Sequence, residues 1–123
     1  MICNGIGVDI VAVDRIRNSY ERGGKKFLKK ILTGSEIMLC SGKADMIPRV
    51  AVRFAAKEAL AKALGSGIAH GYNWHSVEIL NDKKGKPFVK ILDNTLAVMA
   101  ESIKISLSYK KKYAVAFVVI EIE

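Results

Sequence analysis

A chain of 123 residues has room for one modest hydrophobic core, so residues 1–123 are expected to fold as a single domain. Half of the residues are hydrophobic, which excludes a disordered chain, and no apolar run approaches the roughly 20 residues needed to span a bilayer. Twenty Lys and Arg against twelve Asp and Glu leave a formal charge of +8, a field that suits an anionic partner such as nucleic acid, a phosphorylated cofactor or an acidic protein.

The opening segment MICNGIGVDIVAVD lacks a basic leader and meets Asp9 too early for a signal peptide, so a cytoplasmic location is expected. Ile2 to Val13 is apolar and nearly continuous, and reads as a strand covered on both sides. A helix through Arg15, Ile16 and Tyr20 follows and stops at Gly23-Gly24. Phe27, Leu28 and Ile31 suggest a short helical turn. Thr33 to Glu36 has capping-box spacing and predicts a short helix toward Cys40. The longest helix is expected between Asp45 and Leu64, with Asp45 as N-cap and Pro48 in the first turn. Val52, Ala56, Ala59, Leu60 and Ala63 form its apolar stripe, and Gly65-Ser66-Gly67 ends it.

Ile68 to His75 reads as a loop. Val77 to Leu80 and Phe88 to Ile91 read as strands around a polar turn at Gly85. Asp93 is a candidate cap for a helix through Leu96, Met99 and Ala100. Ile103 to Ser108 alternates as a half-buried strand, and Ala114 to Ile122 is the strongest strand pattern of the chain. The class is α+β, with two hairpins separated by a helix.

Three features exceed core patterning. Asp9 stands in an apolar strand, where a carboxylate is costly unless paired, hydrogen-bonded or metal-bound; bracing the following helix is the plainer alternative. Glu58 and Lys62 lie one helical turn apart, an order that stabilises a surface helix and equally sets a carboxylate beside a cation. Two carboxylates with Lys and Arg nearby suit Mg²⁺ with a pyrophosphate, because Mg²⁺ keeps waters and takes phosphate oxygens as further ligands. Lysines cluster in two turns, Lys83 to Lys86 and Lys110 to Lys112, where plain solvation is the simpler role. His70, Trp74 and His75 show no ligand spacing, and Cys3 and Cys40 read as reduced thiols rather than a disulfide framework. No P-loop, dinucleotide fingerprint, nucleophile elbow or zinc pattern occurs.

The ordered set Gly5-Ile6-Gly7-Val8-Asp9-Ile10-Val11 with Arg15-Ile16, Arg53-Phe54-Ala55-Ala56-Lys57-Glu58-Ala59 through Lys62 to Gly65, Gly85-Lys86-Pro87, and Ile105 to Tyr109 with Tyr113 to Ala116 resembles the small, trimeric acyl-carrier-protein synthase type of phosphopantetheinyl transferase. Each piece is weak alone; their joint order over nearly the whole chain is specific. The resemblance implies an antiparallel sheet packed around one long helix, and a homotrimer with active sites between subunits. It implies Asp9 and Glu58 as Mg²⁺ ligands and Asp9, Glu58 and Lys62 as the catalytic set. Lys62, Arg53, Gly65, Ser66, Gly67, Gly85, Lys86, Pro87, Ser106 and Tyr109 would contact coenzyme A, Arg53 alternatively orienting the site, and Arg15 would contact an acyl carrier protein. The implied reaction moves 4'-phosphopantetheine from coenzyme A to a carrier serine, releasing 3',5'-ADP, in support of fatty acid biosynthesis. Either Glu58 or a metal-bound water would take the serine proton.

One position departs from the family pattern: Tyr109 stands where a His is common, and a phenol is a poor general base at neutral pH. A basic nucleic-acid-binding module is the competing reading of the charge, although no RNP, helix-turn-helix, KH or zinc motif supports it. An inactive homologue is the competing reading of Tyr109.

Overall fold

The computed structural model describes residues 2–42, 44–65 and 71–122. The chain runs β1 (Ile2–Ala12), α1 (Val13–Ile31), α2 (Gly34–Ser41), α3 (Ile47–Leu64), β2 (Val77–Asn81), β3 (Pro87–Ile91), a 3-10 turn (Ala100–Ser102), β4 (Ile103–Tyr109) and β5 (Tyr113–Ile122). β1, β5 and β4 form one antiparallel sheet in that order, and β2 pairs with β3 in a second. The α+β class and both hairpins are as expected, with the strands divided between two sheets.

α3 is the centre of the molecule. Val50, Ala51, Val52, Ala55, Ala56, Ala59 and Leu60 are all buried, so this helix is enclosed well beyond the single stripe its sequence suggested. Burial of Val50, Val52 and Leu60 contributes about 1.5–3 kcal/mol each, and the alanines less. Pro48 lies in the first turn, and Gly65 closes the helix in the left-handed conformation, its φ of 82° being one that glycine takes without strain. The N-cap is Met46 rather than Asp45, but Asp45 Oδ1 still accepts from the Ile47 amide at 3.1 Å.

β1 meets α3 through its glycines. A methyl group on Gly7 would run into the carbonyl oxygen of Ala59, and one on Gly5 into that of Ala63. The strand therefore lies backbone-to-backbone against the helix. Because side chains alternate along a strand, Gly5, Gly7, Asp9 and Val11 share the α3 face, and Ile6, Val8 and Ile10 point the other way. That second face is open: Ile6, Val8 and Ile10 are 59%, 53% and 64% exposed, which corrects the expectation of a strand covered on both sides. Phe117, opposite Val8 on β5, extends the same apolar face.

The helices otherwise follow the sequence, with one correction at Asp93. α3 is 18 uninterrupted residues, whereas the 19 residues of α1 are two shorter helices joined across a kink. α1 departs from helical geometry at Gly24, where the sequence placed a stop, and resumes through Phe27, Leu28 and Ile31. Asp93 does not cap a helix. Its Oδ1 accepts from the Thr95 amide at 2.9 Å and the Thr95 hydroxyl at 2.6 Å, a local turn of the kind short polar side chains favour over helix. The capping box of α2 forms as the sequence indicates.

Candidate active site

Asp9 and Lys62 meet where β1 crosses α3. Lys62 Nζ donates to Asp9 Oδ1 at 3.0 Å and to the Val8 carbonyl at 2.9 Å; the Lys62 side chain is 53% exposed and that of Asp9 18%. Glu58 lies one turn before Lys62 on α3 and is half-buried. Its carboxyl is pushed above the usual range, first by burial and then by the Asp9 charge, while Lys62 and Arg15 pull the other way. Asp9, Glu58, Lys62 and Arg15 therefore occupy one neighbourhood at the mouth of the β1–α3 contact. Arg15 also stands over the Phe54 ring at 5.3 Å, and Phe54 stacks on Trp74 with ring centroids 4.9 Å apart.

The donor set fits a hard divalent cation. Burial first, and then the Asp9 charge, raise the cost of ionising Glu58, and a cation held by both carboxylates would offset it. No group of three or more His, Cys, Asp or Glu side chains converges among the described residues, so an all-protein metal cage is not what the chain builds there. Two carboxylates leave coordination positions for water and phosphate oxygens, as Mg²⁺ prefers.

The other expected site residues fall elsewhere. Arg53 is only 2% exposed. Its Nε donates to Ile79 O at 3.0 Å, one terminal nitrogen to Arg49 O at 3.2 Å and the other to Asn81 Oδ1 at 2.7 Å. This guanidinium fastens α3 to β2. It also forms part of the wall of a cleft of about 430 Å³ whose lining includes Arg49, Asn81, Gly85, Pro87 and Tyr109. Asn81 Nδ2 donates to Gly85 O at 3.0 Å, and the turn is folded by Asp82, whose Oδ1 accepts from the Lys86 amide at 2.9 Å. Lys86 itself lines a neighbouring groove with Lys104. Ser106 is exposed on the outer sheet face, opposite Phe117. Ser66, Gly67 and His70 lie outside the described residues.

Arg53 and Lys62 are nine positions apart on one helix, which places them about 180° around its axis and about 14 Å along it. The cleft and the carboxylate pair thus belong to opposite faces of α3, and the residues singled out from the sequence divide into two groups.

Sequence reading passed over a third group, buried behind the site. Lys57 is fully enclosed and donates to Glu36 Oε1 at 2.6 Å, Ile31 O at 2.9 Å and Trp74 O at 2.6 Å. Glu36 Oε1 also accepts from the Thr33 amide at 2.9 Å, and Oε2 from the Ile79 amide at 2.8 Å. Burial draws the Lys57 ammonium below its ordinary value while Glu36 opposes that shift. The Tyr72 hydroxyl donates to the Lys57 carbonyl at 3.0 Å, and burial followed by the charges of Glu58 and Glu36 holds its proton on. His75 Nε2 donates to Lys29 O at 2.7 Å, which fixes the loop to α1 and accounts for that imidazole. The capping-box position of Glu36 was visible in the sequence; its partner 21 residues away was not.

A profile of the 4'-phosphopantetheinyl transferase superfamily matches residues 5–118. A holo-[acyl-carrier-protein] synthase of Chloroherpeton thalassium is 49% identical over 94% of this chain and 96% of its own length. The crystal structure of the corresponding synthase of Neisseria meningitidis superposes with a TM-score of 0.88 at 33% identity, covering 98% of this chain and 99% of that one. The Bacillus anthracis synthase, solved in complex with coenzyme A (3',5'-ADP), superposes with a TM-score of 0.83 at 34% identity, over 98% and 97% of the two chains. The chain belongs to the 4'-phosphopantetheinyl transferase superfamily and groups within it with the holo-[acyl-carrier-protein] synthases.

Proposed function

We propose that this chain transfers the 4'-phosphopantetheine arm of coenzyme A to a serine of an apo-acyl carrier protein, with Mg²⁺ assistance, in the cytoplasm and in support of fatty acid biosynthesis. The observation that carries the reading is the convergence of Asp9, Glu58, Lys62 and Arg15 at one corner of α3, two carboxylates and two cations, in a chain of this family. Relatives named holo-[acyl-carrier-protein] synthase, one of them holding coenzyme A, support the substrates.

Asp9 and Glu58 would hold the metal; when bound, it supplies charge neutralisation on the pyrophosphate and polarises a phosphoryl oxygen. The carrier serine hydroxyl attacks the β-phosphorus, the bond from that phosphorus to the bridging oxygen breaks, and 3',5'-ADP leaves with the electron pair. The Lys62 ammonium, held beside Asp9 by the Val8 carbonyl, would stabilise charge growing on phosphate oxygens. Ionised Glu58 would take the serine proton at a carboxylate oxygen. Arg15, exposed on α1 beside this corner, is placed to receive an acidic carrier protein, and the overall charge of +8 steers both anionic substrates.

The assembly that suits this geometry is a homotrimer. Each chain presents the carboxylate corner and the cleft on opposite faces of α3, so one coenzyme A reaches both kinds of residue only across a boundary between copies. The open apolar face of Ile6, Val8, Ile10 and Phe117 supplies a surface for that boundary. Gly65, Gly85 and Pro87 then wall the nucleotide, and Tyr109 serves as a neutral hydrogen-bond donor rather than a base.

The test is intact-mass analysis of apo-acyl carrier protein incubated with this protein, coenzyme A and Mg²⁺. One added phosphopantetheine, lost when EDTA is present, is the expected result. An unchanged mass with several competent carrier proteins would overturn the assignment.

A further inference from the structure

Arg15 and Arg17 stand two residues apart on α1 and differ in what their guanidinium groups still offer. Arg17 is taken up by Asp45, donating to Oδ1 at 3.3 Å and to Oδ2 at 2.8 Å. Arg15 is exposed, and among the described residues its guanidinium has no hydrogen-bond or ion-pair partner. It lies instead over the Phe54 ring, 5.3 Å from the centroid. A ring face attracts a cation through its quadrupole and leaves the planar fork of N–H donors available for a carboxylate. The Phe54 ring is itself held: it stacks on Trp74 with centroids 4.9 Å apart and planes 27° from parallel. Trp74 belongs to a short loop before β2 that is fastened to both helices. Its carbonyl accepts from Lys57 Nζ of α3 at 2.6 Å, and the neighbouring His75 Nε2 donates to Lys29 O of α1 at 2.7 Å. Within the loop the Asn73 amide donates to Ser76 Oγ at 2.9 Å.

We propose that Phe54 and Trp74 are positioning residues for the protein substrate: their stack holds the Arg15 guanidinium in place, with its donors free, to receive a carboxylate of the acidic carrier protein. The inference rests on the transferase reading above. An arginine that is free to turn loses rotamer freedom when a partner engages it, and one already resting on a flat ring has less to lose. An ion pair within the chain would also hold Arg15, but it would use up the donors, as Asp45 does those of Arg17. The aromatic pair avoids that conflict. Trp74 acts at one remove, by backing the ring on which Arg15 rests. Filling of space between α3 and the loop is the plainer role for two stacked rings, and it makes a different prediction, because lost packing alone would not single out one substrate.

Steady-state kinetics with apo-acyl carrier protein and coenzyme A varied separately test this, alongside calorimetric titration of the carrier protein without coenzyme A. Phe54→Leu keeps an apolar side chain and removes the ring face. It should raise KM for the carrier protein about two- to fivefold, the size of an exposed cation–π contact, and leave KM for coenzyme A in place. Trp74→Leu should act in the same direction and more weakly, and Trp74→Phe, which preserves a stacked ring, should restore the wild-type value. In an Arg15→Ala background Phe54→Leu should add no further rise, since the residue it positions is gone. Equal rises for both substrates, a rise for coenzyme A alone, or a Phe54→Leu effect undiminished without Arg15 would each overturn the proposal. If the wild-type chain binds the carrier protein with this same coupling of Phe54 to Arg15 but transfers nothing, the transferase reading fails while the platform stands. Turnover by the wild type with an unaltered carrier KM in Phe54→Leu fails the platform alone. A wild-type chain that neither transfers to the carrier protein nor binds it defeats both.

Discussion

Lys57 and Lys62 lie five residues apart on α3, and each pairs with a carboxylate, Lys57 with Glu36 and Lys62 with Asp9. The first pair is fully enclosed. Its ammonium has three acceptors, its carboxylate takes two backbone amides as well, and among the described residues no buried side-chain nitrogen or oxygen lacks a partner. The second pair sits at the surface with Asp9 only partly covered, a half-buried Glu58 beside it, and lone pairs facing solvent. The same two charges hold the fold together where their hydrogen bonding is complete, and they remain available for chemistry where it is not. A lysine–carboxylate spacing alone does not separate the two cases. Enclosure does.

The comparison is tested first by removing the enclosed cation. Lys57→Ala leaves Glu36 buried and unpaired, and should lower unfolding stability by about 3–5 kcal/mol, read from urea denaturation. A loss under about 1 kcal/mol would mean that this pair does not hold α3. Gly7→Ala comes next. The added methyl meets the Ala59 carbonyl, so β1 must shift from α3, at about 1–3 kcal/mol. Asp9 moves with it, and transfer should fall along with stability. Lys62→Ala reverses the pattern, changing stability by less than about 1 kcal/mol, as an exposed pair does, while reducing turnover by about 100-fold.

The smallest effect is expected at Asp45, far from both pairs. The hydrogen bond from Arg17 first, then the Ile47 amide, hold the Asp45 carboxyl below its ordinary range. Its contribution is fully present above the unfolded pKa and is lost as the pH falls through the depressed folded value. Asp45→Asn should therefore cost about 0.2–1 kcal/mol at neutral pH, less in high salt, and nothing in strong acid. A cost that persists at low pH would assign the effect to packing.

How much of this was legible beforehand follows the range of the interactions. The capping box at Thr33 and Glu36, the break at Gly24 and the stop at Gly65 are set by residues a few positions apart, and each was readable. Asp9, Glu58 and Lys62 were singled out because charges stood in or beside apolar patterns, and the structure brings them to one corner. The Asp93 helix failed because a local turn with Thr95 competed with it, an alternative the capping pattern does not exclude. The resemblance offers Arg53 as a coenzyme contact or an orienting residue, but the acceptors that hold it, Ile79 O and Asn81 Oδ1, come from a strand whose register only the tertiary fold fixes. Arg49 and Lys57 were overlooked for the same reason, since their surroundings are assembled from α2, β2 and β4. The open face of β1 was missed because an unbroken apolar strand reads alike whether a helix or another chain covers its second side.

Glu58→Gln provides the most direct test of the central claim, with carrier-protein transfer and thermal unfolding measured on the same metal-free and Mg²⁺-loaded samples. The Glu58 carboxyl is raised above its ordinary value, so at neutral pH its ionised form opposes folding, and the neutral amide should leave the metal-free chain as stable or slightly more so. Turnover with Mg²⁺ should nevertheless drop by about 100-fold or more. Near-normal transfer by the variant, or a loss of activity matched by a loss of fold, would contradict the assignment of this corner as the reacting site.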